Sequence, residues 1–145
     1  MKALLQRVTH ASVAVGGDIV GEIGPGVLVF LGVEQADDSS TVRAMTERIL
    51  AYRLFADEQG KMNRSVRDIA GGVLLVSQFT LAANTKKGLR PSFSSAAAPA
   101  LAELLYEEML ALLREAPVGF ACGRFGADMQ VGLVNDGPVT FLLEI

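Results

Sequence analysis

The stretch VLVFLGV, residues 27–33, carries an apolar residue at every position. Successive side chains of a strand point to opposite faces of its sheet, so a strand with this sequence has two faces to bury. A second stretch, VLLVSQFTL at residues 73–81, begins in the same way and ends in polar side chains. We therefore predict two buried strands, at 27–33 and 73–81, in the middle of a sheet that is covered on both sides.

The sequence around these two strands predicts a hairpin and a helix. Residues 2–15 and 19–23 are strand-like, and Gly16-Gly17-Asp18 separates them as a turn. Apolar residues at helical spacing predict a helix from about residue 39 to residue 55. Oxygen atoms suitable for its N-cap are offered by Asp37, Asp38 and Ser39.

A second helix is predicted in the last third of the chain. Pro99 suits the first turn of a helix, and we expect this helix to stop before Pro117. One stripe at helical spacing is expected to face the core. Its members are Leu101, Leu104, Leu105, Glu108 and Leu112.

Three strand-like segments close the chain, at residues 118–123, 128–135 and 139–145. Asn135-Asp136-Gly137-Pro138 is interpreted as the turn of a closing hairpin. Runs of strand separated by two isolated helices predict an α+β fold with a mainly antiparallel, barrel-like sheet. The length of 145 residues fits one domain that spans residues 1–145.

The composition predicts a folded, cytoplasmic protein. Half of the residues are hydrophobic and 20% are charged, so burial can offset the chain entropy lost on folding. The first residues lack a signal peptide pattern, and no apolar stretch approaches the ~20 residues of a membrane-spanning helix. With a formal net charge of −3, any RNA contact must be local. We expect neither a membrane nor a DNA partner.

His10 and Cys122 are the only histidine and cysteine, which removes most enzyme classes. They cannot supply the three protein ligands of a catalytic zinc site, and one cysteine forms no intrachain disulfide. A serine or cysteine nucleophile usually needs a nearby imidazole, whereas His10 is interpreted as a solvated strand residue. Cys122 is interpreted as a small apolar residue. Glycine-rich phosphate-binding spacings are also absent, so we expect no metal and no cofactor.

Two polar segments remain once core and turns are assigned. Ser77-Gln78-Phe79-Thr80 places three hydrogen-bonding side chains at the end of a buried strand, where they either cap the strand or form a site. Asn135-Asp136-Gly137-Pro138-Val139-Thr140 is a turn, and its Gly-Pro bond can be cis at a cost of about 0.5–1 kcal/mol.

Together, the two segments resemble the paired signatures of the D-aminoacyl-tRNA deacylase family, S-Q-F-T and N-x-G-P-x-T, at every motif position. Other segments are similar to the family in the expected order, so the resemblance extends over the whole chain. They are Gln6-Arg7-Val8, Gly60-Lys61-Met62-Asn63, Arg90-Pro91-Ser92-Phe93-Ser94, Gly123-Arg124-Phe125 and Ala127-Asp128-Met129-Gln130-Val131.

The resemblance implies a homodimer that hydrolyses the ester of D-aminoacyl-tRNA in translation quality control. On this hypothesis the catalytic segment of one subunit meets Gly137 and Pro138 of the other. A cis Gly-Pro peptide would direct its carbonyl oxygens at the α-ammonium of the substrate, and an L side chain would collide with the backbone. Met129 is assigned to the same substrate-binding group. The residues of the catalytic segment are Ser77, Gln78, Phe79 and Thr80. Phe79 either fills the core or stacks on a docked adenosine, and filling the core is the favoured expectation.

The same resemblance suggests how an enzyme without an imidazole base could work. The 2′-OH of the terminal ribose would assist ester cleavage, since RNA carries this group. The Gln78 and Phe79 backbone N–H groups are candidates for an oxyanion site, and Thr80 is favoured as a positioning group. Achiral glycine would escape the chiral filter, so glycyl-tRNA(Ala) is an expected second substrate. Candidate phosphate contacts are Lys86, Lys87 and Arg90.

Two other functions fit these residues. A non-catalytic RNA-binding scaffold would use residues 77–80 only to satisfy the end of the sheet. A small-molecule esterase or peptidase would use Thr80 or Ser77 as its nucleophile and would cleave simple esters without tRNA.

Overall fold

Eight strands, two α-helices and one 3-10 turn are found in the computed structural model, which describes residues 1–86 and 88–145. No helix in this described part of the chain is long and apolar enough to cross a membrane. In chain order the elements are β1 (Lys2–Val15), β2 (Asp18–Ile23), β3 (Gly26–Gly32), α1 (Ser39–Ala51), β4 (Phe55–Ala56), β5 (Met62–Arg64), β6 (Gly72–Ser77), the 3-10 turn (Phe79–Ala82), α2 (Pro99–Glu115), β7 (Gly119–Cys122) and β8 (Gln130–Glu144).

The long strand β1 uses both of its edges and thereby organises the sheet. Along one edge its first half pairs with β3 and its second half with β2, both antiparallel. Along the other edge it pairs with β8 over almost its whole length. The β1–β2 pairing confirms the predicted hairpin across Gly16-Gly17-Asp18.

The strands β3, β6 and β7 run parallel to one another because each connection between them crosses over through a helix. The sheet order is therefore β2-β1-β3-β6-β7, with β8 on the outer edge of β1. An added Cβ at Gly21 of β2 would lie 2.6 Å from the Cys122 carbonyl oxygen of β7, so the two ends of this path nearly meet. The predicted fold, two helices with a barrel-like sheet, is confirmed, and the helical crossovers make the sheet mixed.

Both central strands are buried on two faces, as the apolar sequences at 27–33 and 73–81 predict. Val27, Val29 and Leu31 of β3 pack in a core between the sheet and the helices. Leu28 and Leu74 point the other way, into a smaller core inside the barrel. The alternation of a strand thus divides one apolar run between two cores.

The helix α1 is shorter than predicted and ends at Ala51. Its N-cap is Asp38, which accepts a hydrogen bond from the Thr41 backbone N–H at 2.9 Å in a capping box. Hydrogen bonds, first from the Ser40 hydroxyl and then from Thr41, lower the pKa of Asp38 to about 2. Asp37, the other acidic candidate for the cap, instead accepts from the buried Met1 α-ammonium at 2.7 Å.

The buried face of α2 differs from the predicted stripe. Of that stripe, Leu105 is buried and Leu101 and Leu112 pack partly buried against the core, whereas Leu104 is 65% exposed. Tyr106 and Met109, which lie outside the predicted stripe, are buried as well. Apolar residues surround most of this helix, so spacing alone does not single out one face. Buried Tyr106 donates its hydroxyl to the Leu75 carbonyl at 3.1 Å, and Glu108 accepts from Ser39 of α1 at 2.7 Å.

The predicted closing hairpin is wrong, because β8 is one strand with a bulge. Val8 of β1 pairs with Asn135, and Gln6 pairs with Thr140. Residues 136–139 therefore stand opposite Arg7 alone. The Asp-Gly-Pro sequence turns the chain only locally. The segments before and after it both pair with β1, so the chain continues in the same direction beyond the bulge.

A close approach of two glycines joins β3 to β6 and generates a stability prediction. Gly26 pairs with Gly72, and a Cβ at Gly26 would overlap the Gly72 carbonyl oxygen and lie 2.7 Å from the Gly72 nitrogen. We expect Gly26→Ala to lower the free energy of unfolding by about 3 kcal/mol, measured by urea denaturation. The matched control is Gly24→Ala, where an added Cβ meets nothing within 4 Å. Equal stability of the two variants would contradict this account.

Candidate active site

A cavity of about 640 Å³ opens where β6 ends. Its walls come from the ends of β3 and β6, the start of α2 and the segment between β7 and β8. Ser77, Gln78 and Phe79 line it together with Met129, so the structure brings together four of the predicted site residues. The other lining residues are Leu31, Val33, Val76, Ala97, Pro99, Ala102, Phe125, Gly126, Ala127, Asp128 and Val131.

The strand β6 stops at Ser77, four residues earlier than the predicted end at Leu81. Gln78 still donates its backbone N–H to the Leu31 carbonyl at 2.7 Å, and the chain then turns into the 3-10 segment. A Cβ at Gly32 would lie 2.9 Å from Cβ of Leu81, so the 3-10 turn can pack this closely against β3 only because residue 32 has no side chain. The strand ends here because its partner β3 ends at Gly32.

This turn decides which backbone N–H groups are left without a partner in the sheet or in the turn. The Gln78 N–H is engaged by Leu31, which corrects the prediction that it serves an oxyanion. The first donor within the turn is Leu81, whose N–H bonds to the Gln78 carbonyl at 3.2 Å. Phe79 and Thr80 precede that donor, so their N–H groups have no partner within the turn.

The side chains beside the turn supply hydrogen bonds and no strong base. Gln78 donates its side-chain amide to the Thr80 hydroxyl oxygen.

His10 is exposed on β1, where its ring lies beside the Thr9 hydroxyl, which fits its interpretation as a solvated residue. Burial raises the pKa of the Cys122 thiol, so Cys122 is a poor nucleophile.

Phe79 lies at the rim of the cavity, contrary to the prediction that it fills the core. Its side chain is 61% exposed because it belongs to the 3-10 turn and not to the buried strand. Its ring contacts that of Phe93, with centroids 5.1 Å apart and planes inclined by 47°.

Gly137 and Pro138 are not among the cavity-lining residues of their own chain. They are exposed on the bulge of β8, and the peptide bond between them is cis, as expected. The Asn135 side chain spans the bulge, accepting from the Val139 N–H at 2.7 Å and donating to the hydroxyl of Thr140 at 3.0 Å.

The Arg7 side chain fixes the bulge from the opposite strand. Its Nε donates to the Asp136 carbonyl at 2.9 Å, and its Nη1 donates to the Leu54 carbonyl at 2.8 Å. The bulge is thereby tied both to β1 and to the segment that follows α1. The local sequence around Arg7 does not predict this contact, because its partners lie 47 and 129 residues away in the chain.

Asp128 is a second residue that sequence reasoning did not single out. It places a carboxylate on the wall of an otherwise mostly apolar cavity, next to Met129. Within residues 1–86 and 88–145, no group of three or more His, Cys, Asp or Glu could hold a metal ion.

Of the predicted phosphate contacts, Lys86 and Arg90 are exposed in the loop between the 3-10 turn and α2. Lys87 lies outside the described residues. A pair of backbone hydrogen bonds between Asn84 and Ser92, at 2.7 and 3.1 Å, closes the tip of this loop.

Comparison with known proteins gives concordant results along the whole chain. The family described as D-Tyr-tRNA(Tyr) deacylase matches residues 4–144. A D-aminoacyl-tRNA deacylase of Stutzerimonas stutzeri (strain A1501) is 63% identical over 144 residues, which are 99% of each chain. A D-aminoacyl-tRNA deacylase of Cronobacter sakazakii (strain ATCC BAA-894) is 59% identical over 145 residues, covering all of both chains.

Two solved structures share the fold. The c-Myc DNA Unwinding Element Binding Protein superposes with a TM-score of 0.95 at 44% identity, covering 100% of this chain and 99% of that one. A probable eukaryotic D-amino acid tRNA deacylase superposes with a TM-score of 0.85 at 18% identity, covering 99% and 98%. The second likeness concerns the fold alone. By its full-length match and by its close relatives, the chain belongs to the D-Tyr-tRNA(Tyr) deacylase family.

Proposed function

We propose that this protein hydrolyses the ester bond between a D-amino acid and the 3′-terminal ribose of tRNA. The observation that carries the proposal is the cavity at the end of β6, lined by Ser77, Gln78 and Phe79 in a chain of this family. Its relatives are named D-aminoacyl-tRNA deacylases. A cavity of about 640 Å³ has room for an aminoacyl ester and its ribose.

The local geometry favours catalysis by positioning over catalysis by a protein nucleophile. The Thr80 hydroxyl accepts a hydrogen bond from an amide, which does not act as a base. The Phe79 and Thr80 N–H groups can instead stabilise the oxyanion that develops on the ester carbonyl. The ribose 2′-OH of the substrate then assists the cleavage, so the reactive hydroxyl is supplied by RNA.

For chiral selection we propose that a second copy of the chain supplies its bulge. The carbonyl oxygens of Gly137 and Pro138 would accept hydrogen bonds from the α-ammonium of the substrate, and backbone atoms would exclude an L side chain. The bulge suits this role because it is exposed and held from two sides by Arg7 and Asn135. Glycine has no side chain to exclude, so glycyl-tRNA(Ala) is proposed as a second substrate.

The surface of β8 supports assembly with a second copy. Within the described residues β8 pairs only with β1, so its other edge is open over a long strand. Val134 and Leu142 are 47% and 50% exposed on it. An open edge with exposed apolar side chains is normally covered in a native protein. We propose a homodimer in which this region is buried.

The chiral filter is tested by comparing D-tyrosyl-tRNA with L-tyrosyl-tRNA. We expect rapid hydrolysis of the D-ester alone. Gly137→Ala should lower kcat/KM for the D-ester at least tenfold, because Gly137 has a φ of 138° and an added Cβ would lie 2.7 Å from Val139 Cγ2. The control is Gly24→Ala, outside β8, where an added Cβ meets nothing within 4 Å. A protein that is folded and cleaves neither ester would instead be an RNA-binding scaffold.

The source of the reactive hydroxyl is tested by removing each candidate in turn. Replacing the terminal 2′-OH by hydrogen in a 3′-esterified D-tyrosyl-tRNA should abolish cleavage. Thr80→Ala should reduce kcat by less than about tenfold, because it removes one hydrogen bond worth roughly 1 kcal/mol. Complete loss of activity in Thr80→Ala with unchanged tRNA binding would identify Thr80 as the nucleophile. Cleavage of simple esters without tRNA would point to a protein nucleophile, either Thr80 or Ser77.

The contribution of the basic loop is tested by salt dependence. Lys86→Ala combined with Arg90→Ala should raise KM for D-tyrosyl-tRNA and flatten the dependence of KM on salt concentration, because two phosphate contacts are lost. Lys61→Ala, an exposed lysine in the turn between β4 and β5, serves as the control. An equal effect of the control would assign the change to overall charge.

A further inference from the structure

We infer that Phe79 and Phe93, here called the aromatic pair, form a stacking platform for the base of the nucleotide that precedes the terminal adenosine of the tRNA. The inference rests on the proposed function and adds a binding site for the single-stranded end of the substrate. Phe93 is its distinctive residue, because it is not among the residues that line the catalytic cavity.

The aromatic pair connects the wall of the cavity with the surface beside it. Phe79 lines the cavity and also contacts Phe93, at 5.1 Å between ring centroids. Phe93 therefore lies immediately outside the rim. When the aminoacylated adenosine occupies the cavity, the preceding nucleotide is next in the chain and reaches this rim first.

The rings of the aromatic pair are accessible to a ligand. Phe79 is 61% exposed and Phe93 is 39% exposed, and Leu89 at the tip of the same loop is fully exposed. Large apolar side chains clustered on a surface indicate an interaction site more often than isolated ones do. A nucleotide base offers the flat apolar face that such rings bind.

The sequence that carries the aromatic pair is basic, which favours a nucleic acid over an apolar protein segment, although the carboxylates of Asp128 and Glu34 lie nearby on other segments. No aspartate or glutamate occurs between Asp68 and Glu103, a stretch that contains Lys86, Lys87 and Arg90. The chain as a whole has a formal net charge of −3, so this basic stretch is a local exception. Basic residues that follow the backbone, combined with aromatic residues that stack on bases, are the usual elements of a single-strand site.

The loop that carries Phe93 is held at both of its ends. Ser95 donates its hydroxyl to the Ala82 carbonyl, and Gln35 donates its side-chain amide to the Ser94 carbonyl at 2.9 Å. Backbone hydrogen bonds join Asn84 to Ser92. Phe93 is thus placed beside Phe79 before the substrate arrives, which lowers the ordering cost of binding.

The test compares D-tyrosyl esters of adenosine alone and of the dinucleotide cytidylyl-adenosine. For the wild-type protein, we expect kcat/KM to be about tenfold higher with the dinucleotide, because one more base is stacked. Phe93→Ala should remove this advantage and leave hydrolysis of the adenosine ester within twofold of wild type. Phe93→Trp should preserve the advantage, whereas Phe93→Leu should lose it although it stays apolar. Leu104→Ala, an exposed apolar residue of α2 outside the cavity lining, is the control and should behave as wild type.

The outcomes separate this inference from the proposed function. If wild-type protein cleaves D-tyrosyl-tRNA but shows no dinucleotide advantage, or Phe93→Ala keeps it, the platform is overturned and the proposed function stands. Equal losses on both esters would make Phe93 a support of the cavity and would also overturn the platform. If wild-type protein does not cleave D-tyrosyl-tRNA, the proposed function fails and the inference fails with it.

Discussion

The double use of β1 is the constraint on which the rest of the structure depends. One edge of this strand is shared by β2 and β3, and the other is occupied by β8. The pairing with β1 fixes the position of β3, and β6 in turn pairs with β3. The register of these two pairs therefore determines where β6 ends beside the cavity. The pairing with β8 resumes on both sides of residues 136–139, so these residues are forced outward. One strand thus positions both motif segments, although they lie on different parts of the molecule.

The ends of strands, more than their middles, create the site. The ladder between β3 and β6 runs out at Leu31 and Ser77, and the Gln78 N–H makes a last bond to Leu31. The next residues have no strand to pair with and close into a 3-10 turn, which leaves N–H groups at its start. A bond that finishes a sheet therefore also determines which donors are left for a ligand. The same turn exposes Phe79, which a continued strand would have buried.

Sequence patterns predicted the parts of the fold that depend on local periodicity. The two apolar runs gave the central strands, and the glycine turn gave the first hairpin. The buried face of α2 was predicted only in part, because Leu104 and Met109 are equally apolar and only the position of the sheet distinguishes the exposed one from the buried one. The end of β6 depends on where β3 ends, and the bulge depends on β1 pairing on both of its sides. Both features follow from contacts between residues far apart in the chain, which a local pattern does not contain. For the candidate site, Ser77, Gln78, Phe79 and Met129 line one cavity, and Thr80 is not among its lining residues. The contact of Arg7 with the bulge and the place of Asp128 were not foreseen.

The oxyanion donors proposed at the 3-10 turn are main-chain N–H groups, and this proposal has a consequence for how the protein tolerates genetic change. A codon change replaces a side chain but cannot delete the N–H group of Phe79 or Thr80. Such a site is robust to most single substitutions at its own positions and vulnerable to distant ones that alter the path of the chain, such as a side chain added at Gly32. Mutational sensitivity would then map the residues that shape the turn, and the atoms nearest the ligand would leave little trace in a scan of side chains.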